Sequence, residues 1–212
     1  MSCAYLAFTE RGLALAQQLA AACPGPVARC GAGGPGLDEW TAAQFAASDA
    51  LIYIGAVGIA VRAIAPHCRS KAADPAVVVL DECGRFAVPL LSGHLGGANA
   101  LARRLAAVCG AVPVITTATD LHGLFAVDEW AKRQGCIVAE PERIKQVSGA
   151  LLAGKRVHFT ADWPIQGTPP AGVQPAVGGC ADFALTLTPT GQALHIVPRI
   201  AVLGIGCRRG TT

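Results

Sequence analysis

The chain has 212 residues, of which 52% are hydrophobic and 15% charged; it is long enough to bury a sizeable core, and disorder is excluded as its main state. The net charge of +3 rests on 13 Arg against 4 Lys, spread along the chain with only five Trp and Tyr, which is not a nucleic-acid footprint. Residues 86–102, a long uncharged apolar stretch, contain Pro89, Gly93, His94, Gly96, Gly97 and Asn99, a poor lipid-facing helix, so no membrane partner is expected. No basic leader precedes Glu10 and Arg11, and a cytoplasmic location is expected. The nine cysteines, at 3, 23, 30, 68, 83, 109, 136, 180 and 207, form no C-x-x-C pair. They read as reduced, mostly buried thiols, with no metal site among them.

Short β-rich runs alternate with alanine-rich helical runs. That pattern predicts an α/β chain: an open, mostly parallel but mixed sheet with helices on both faces, followed by a smaller α/β middle domain. In chain order the pattern predicts a strand over 5–9, a helix over 11–22 stopped by Pro24 and Gly25, and a strand over 26–30. A helix capped by Asp38 then runs to about 47, with a buried strand over 50–54 and a helix over 58–65. Runs 76–80 and 85–90, joined by Glu82, Cys83 and Gly84, read as an antiparallel pair. From Leu95 to Val108 apolar residues recur at helical spacing with Arg103 and Arg104 off the stripe. Further strands are predicted over 112–116, 136–139, 156–160, 184–188, 194–197 and 200–205, with helices over 123–134 and 141–152. The proline- and glycine-rich stretch 163–179 fits no periodic element.

Three segments share a strand, a turn of small residues and a helix start: 54–58, 91–99 and 116–120. In an open α/β sheet such turns gather at the carboxyl edge, where free N–H groups and helix dipoles favour anions. Gly55 and Gly58 also suit a plain tight turn, and Tyr53 stands where a dinucleotide fingerprint needs its first glycine. The second segment is richer, with Ser92, His94 and Asn99 among Gly93, Gly96 and Gly97. Thr116, Thr117 and Asp120 read equally as ligand donors or as helix caps.

Read together, IGAVGIAVRAIAPH (54–67), SKAADPAVVVLDECGRFAVPLLSGHLGGANALARRLA (70–106), PVITTATD (113–120) and VLGIGCRRGTT (202–212) resemble the cobalt-precorrin-5A hydrolase (CbiG) family of anaerobic cobalamin biosynthesis. The resemblance is nearly unbroken over 50–120 and looser elsewhere. It implies an N-terminal domain over 1–120 with a glycine-rich substrate edge, a middle domain over 121–198, and a stub of a further domain over 199–212. It also implies the activity: opening of the δ-lactone of cobalt-precorrin-5A to give cobalt-precorrin-5B and acetaldehyde. The substrate would be an anionic tetrapyrrole that carries its own cobalt, with no cofactor held by the protein. A homo-oligomer and contacts with neighbouring cobalamin-pathway enzymes are left open.

The residue chemistry suggests roles. His94 is expected to be the general base, with Asp81 as its orienter or as an alternative base. The N–H groups of Gly96 and Gly97, or of Val57 and Gly58, would hold the oxyanion. Arg62, Lys71, Arg85 and Arg103 are expected at the same edge, pairing with peripheral carboxylates. Two alternatives remain: a truncated module that binds an anionic corrinoid or nucleotide and needs a further domain for turnover, and an ordinary nucleotide-binding α/β enzyme.

Overall fold

The computed structural model describes residues 1–31, 33–70, 73–189 and 191–200. The expected strand over 200–205 and nearly all of the expected stub lie outside the described residues, as does Lys71. The chain divides into two compact units, Met1–Glu129 and Trp130–Thr212.

In the first unit the elements are β1 (Cys3–Ala7), α1 (Glu10–Ala22), β2 (Val27–Arg29), α2 (Leu37–Ala47), β3 (Ala50–Ile54), α3 (Val57–Ile64), β4 (Ala76–Leu80), β5 (Phe86–Leu91), α4 (Ala98–Cys109), β6 (Val112–Pro113) and α5 (Ala118–Leu121). A further helix, α6 (Val127–Arg133), begins in this unit. The six strands form one sheet in the order β2-β1-β3-β4-β5-β6. All five residues of each of β1, β3 and β4 are buried. Such strands read as unbroken apolar runs because helices cover both faces. Tyr5, Ile52, Ile54, Val78 and Leu80 pack with Ala16 and Leu19 of α1 and Leu101, Ala102 and Leu105 of α4. Their neighbours in sequence, Leu6, Leu51, Tyr53, Val77 and Val79, face the other way, against Trp40 of α2 and Ala60 and Ile64 of α3. Each fully buried Leu or Ile contributes roughly 1.5–3 kcal/mol.

Strand direction decides where the glycine-rich turns lie. β1, β2, β3 and β4 run parallel, but β5 is antiparallel to β4, pairing Ala87 with Leu80 and Leu91 with Val77. β6 runs parallel to β5. The chain therefore leaves β5 and β6 at the edge where β3 and β4 begin. Only the 54–58 turn lies at the carboxyl edge of β1, β3 and β4; the 91–99 and 116–120 turns lie at the opposite edge. The expectation that all three gather at one edge is thus corrected.

Local differences have local causes. Asp38 falls in the first turn of α2, and the cap position is held by Gly36 with no side-chain hydrogen bond. α4 starts at Ala98, not Leu95, because Gly97 adopts φ +88° and Ser92 φ +56°, left-handed values that no helix continues through. β6 keeps only two of the five expected residues.

The second unit contains β7 (Ile137–Val138), α7 (Ile144–Leu152), β8 (Val157–Ala161), β9 (Val173–Pro175), β10 (Phe183–Leu185) and β11 (Leu194–Val197). Its sheet has the order β7-β11-β10-β8-β9, with only β7 antiparallel to its neighbour. Ile144, Val147 and Leu151 of α7 are buried, as are Val157, Phe183, Leu194 and Ile196 of the strands. β9 lies in the stretch that the sequence reads as having no element; Pro175 closes it at the sheet margin, where a missing N–H costs little. Among the described residues no helix is long and apolar enough to cross a membrane.

Candidate functional site

The richest polar cluster of the first unit is built at the edge where β5 and β6 end. Ser92 closes β5 in a left-handed conformation and is anchored by its hydroxyl, which donates to the Asp74 carbonyl at 2.9 Å just before β4. The next residues turn so tightly that side chains have no room. A Cβ on Gly96 would stand 2.3 Å from Ser92 Cβ, and one on Gly93 2.9 Å from Asn99 Oδ1. This turn places His94 beside Asn99 and Arg103 of α4 and Asp120 of α5.

Asp120 is the hub. Its Oδ2 accepts from Thr117 Oγ1 at 2.5 Å and from Asn99 Nδ2 at 3.0 Å, and lies 2.8 Å from His94 Nε2; its Oδ1 accepts from Arg103 at 2.5 Å. Asn99 also donates to Thr117 Oγ1 at 2.9 Å. Burial works to raise Asp120, but the donors from Thr117, Arg103 and His94 outweigh it and hold the carboxyl well below the usual carboxylate range. On the other side of the imidazole, Nδ1 lies 3.3 Å from Asp128 Oδ1. That oxygen is buried and makes no hydrogen bond among the described residues, so the contact is a poorly aligned ion pair. Asp128 is still the largest influence on His94; against the opposing effect of burial, it and Asp120 push the imidazole up to about 9. At neutral pH His94 is therefore a cation with both nitrogens on carboxylates. The expected role of neutral base does not match that state. Glu129 completes the group: His94, Asp120 and Glu129 each present a ligand atom within 4.8 Å of the others.

Asp81 is not part of this cluster. It stands at the opposite end of β4, where its carboxylate accepts from the N–H groups of Cys83, Arg85 and Phe86 at 2.8–2.9 Å and holds the hairpin turn. It therefore does not orient His94. With it, at the carboxyl edge, lie Gly55, Val57, Gly58, Arg62 and Arg85. Gly55 is required by packing, since a Cβ there would approach the Phe8 ring at 2.6 Å. Arg62 folds back toward Gly58, its guanidinium 3.7 Å from where a Cβ would be. α3 has no side-chain cap at its N-terminus. Val57, Val61 and Phe86 are 40%, 46% and 50% exposed at this edge. The four expected cations are thus divided: Arg62 and Arg85 here, Arg103 ion-paired at the other edge, and Lys71 outside the described residues. Thr116 is exposed beside the second cluster.

Asp128 and Glu129 are the residues that sequence reasoning missed. They sit in the first turn of α6, where acidic residues read as ordinary partners of a helix dipole.

Fold and cluster together define an α/β protein with a helix-covered mixed sheet and a half-buried histidine–carboxylate cluster, an architecture that fixes no chemistry by itself. Comparison with known proteins narrows it. Residues 39–120 match the family described as Cobalamin synthesis G N-terminal, and residues 125–177 match the Cobalamin biosynthesis central region. The cobalt-precorrin-5A hydrolase of Salmonella typhimurium is 40% identical over 185 residues, covering 79% of this chain and 52% of that protein. That of Priestia megaterium is 33% identical over 184 residues, covering 76% and 49%. A crystal structure of a cobalamin biosynthesis protein G homolog from Sulfolobus solfataricus shares the fold, with TM-score 0.56 and 20% identity over 93% of this chain and 60% of that one. The chain belongs to the cobalamin biosynthesis G (CbiG) family, and spans about half the length of the curated relatives it matches.

Proposed function

We propose that the chain is the N-terminal and central part of a cobalt-precorrin-5A hydrolase. Water adds to the δ-lactone carbonyl and the ring oxygen leaves as an alcohol. That hydroxyl then gives up its proton as its carbon's bond to the macrocycle breaks, the bond's electron pair passes into the conjugated ring, which takes up a proton, and the two-carbon fragment departs as acetaldehyde to give cobalt-precorrin-5B. The observation that carries this reading is the 40% identity to the Salmonella hydrolase over 79% of the chain. The substrate is a flat tetrapyrrole rimmed with carboxylates, and its cobalt arrives within it. The reaction is assigned to the cytoplasm.

The two edges of the first sheet suit different parts of that task. Exposed Val57, Val61 and Phe86 beside Arg62 and Arg85 offer an apolar surface with guanidinium groups for peripheral carboxylates. Among the described residues neither arginine is in an ion pair. At the other edge His94 is proposed as a proton donor to the leaving ring oxygen, a revision of the expected base, because it holds its proton at neutral pH.

The test is anaerobic incubation of the chain with cobalt-precorrin-5A, reading acetaldehyde and the optical spectrum of the corrinoid. Stoichiometric acetaldehyde supports the reading. Binding of the corrinoid without acetaldehyde, even when the remaining half of a longer relative is supplied in trans, overturns it in favour of a binding module.

A further inference from the structure

We propose that the cluster around His94 is a divalent-cation site, with His94 Nε2, one oxygen of Asp120 and one oxygen of Glu129 as ligands and Asp128 as the carboxylate behind the histidine. The proposal goes beyond the hydrolase reading, because it concerns what the protein binds in the absence of substrate; an ion on Nε2 takes the place of the proton that His94 otherwise holds there, so in the loaded state His94 is a ligand and not the proton donor.

The ligand spacing is the first argument. Around an ion with N and O ligands at about 2.1 Å, neighbouring ligands are roughly 3 Å apart and opposite ones roughly 4.2 Å. His94, Asp120 and Glu129 each offer a ligand atom within 4.8 Å of the others, and the 2.8 Å between His94 Nε2 and Asp120 Oδ2, a hydrogen bond without the ion, is the length of a neighbouring edge. Small rotations of Glu129, which is only half-buried, complete the face.

Asp128 supplies the second, independent argument. It is only 6% exposed, and its Oδ1 is buried without a hydrogen-bond partner among the described residues, 3.3 Å from His94 Nδ1. A buried carboxylate oxygen with an ion pair but no hydrogen bond is incompletely satisfied, and that is costly. A histidine whose Nε2 holds a metal carries its proton on Nδ1 and almost always gives it to a carboxylate or carbonyl. Asp128 Oδ1 stands where that acceptor belongs, so loading the site would align a contact that is poorly formed without the ion. Arg103 meanwhile fixes Asp120 through Oδ1, and Asn99 and Thr117 fix it through Oδ2, so the carboxylate is held in place by outer partners as a ligating one is.

Charge agrees. Asp120, Asp128 and Glu129 face the guanidinium of Arg103 and the imidazolium of His94; with the His94 Nε2 proton gone, Arg103 alone among these groups is positive, and the remaining negative charge is left for a divalent ion to offset. One nitrogen and two oxygens favour Mn, Fe, Co or Zn over Mg and Ca, which prefer all-oxygen sites. Three protein ligands leave positions open for water or for a carbonyl or carboxylate oxygen of a bound molecule.

Manganese is the probe, because its preference for N and O ligands keeps it from the chain's thiols. The metal-free 212-residue chain is titrated with Mn²⁺, free ion being read by electron paramagnetic resonance, with Mg²⁺ and Zn²⁺ as competitors. The expected result is one Mn²⁺ per chain, displaced by Zn²⁺ and not by equimolar Mg²⁺. Glu129→Gln and His94→Gln are expected to weaken it at least 10-fold, and Asp128→Asn by roughly 10- to 100-fold as the loss of an outer partner does. Glu129→Gln is nearly isosteric at a half-buried position, and circular dichroism confirms that each variant is folded. No binding up to about 1 mM Mn²⁺, or binding equal in the parent and in a folded Glu129→Gln, overturns the proposal.

Discussion

The two edges of the six-stranded sheet are made from similar sequence, a glycine-rich turn leading into a helix, yet they differ in almost every physical respect. The carboxyl edge of β3 and β4 is open: its glycine turn carries exposed valines, and its arginines are free of ion pairs among the described residues. At the opposite edge the turn is packed against its own backbone, and a protonated histidine sits between two carboxylates with little access to water. Motif resemblance therefore does not set the character of an edge. Packing around the turn does, and packing follows from which way the strand before it runs.

The sharpest break between the edges should be seen in turnover. With cobalt-precorrin-5A as substrate, His94→Gln is expected to lower kcat by about 10²- to 10⁴-fold, the usual worth of a positioned acid, whereas Arg62→Ala and Arg85→Ala raise KM and leave kcat within a few-fold. A kcat loss in the arginine variants with none in His94→Gln would move the chemistry to the carboxyl edge.

Packing predicts the next largest contrast. Gly96→Ala must push against Ser92 Cβ at 2.3 Å and Ser92 O at 2.7 Å, a backbone clash expected to destabilise the chain by roughly 1–3 kcal/mol in urea unfolding. Gly58→Ala meets only the far end of Arg62 at 3.7 Å, and in the first turn of α3 alanine is expected to be neutral or to stabilise by up to about 1 kcal/mol. Equal effects would erase the difference in packing between the two turns.

A smaller, pH-dependent contrast follows from charge. His94 is raised in the folded chain from 6.5 to about 9. Its contribution to stability is therefore full below about 6.5 and lost as pH rises through about 9. Asp120, held low, contributes in the opposite sense: its share is present above its unfolded value of 3.8 and lost as pH falls below it. Denaturant midpoints measured from pH 6 to 10 should fall in the parent and fall less in His94→Gln; identical profiles would show that the imidazole gains nothing from its carboxylates.

Much of the architecture was legible because buried strands announce themselves. The bounds of β3, β4 and β11 coincide with apolar runs ended by turn residues, and the hairpin between β4 and β5 was read from Glu82, Cys83 and Gly84. That same hairpin implies that Ser92 emerges at the other edge from Gly55, but a glycine-rich motif taken locally carries no strand direction. The start of α4 was misplaced because Leu95 fits the apolar stripe while Ser92 and Gly97 take left-handed conformations that periodicity does not register. β9 was hidden by its proline-rich surroundings. In the site, His94, Asn99, Thr117 and Asp120 were all singled out, yet their link through one carboxylate was not visible. Asp128 was missed because it is far from His94 in sequence and looks like any acid at a helix start.

One feature ties the two edges back together. β4 is buried along all five residues and paired on both sides, to β3 and to β5. It holds Asp74, anchor of the Ser92 turn, just before its start and Asp81, holder of the hairpin, just after its end. Its amides should be among the slowest in the chain to exchange with solvent deuterium, released only by the largest cooperative openings. The edges differ in chemistry, but they share one clock: whatever frees the strand between them dismantles both at once.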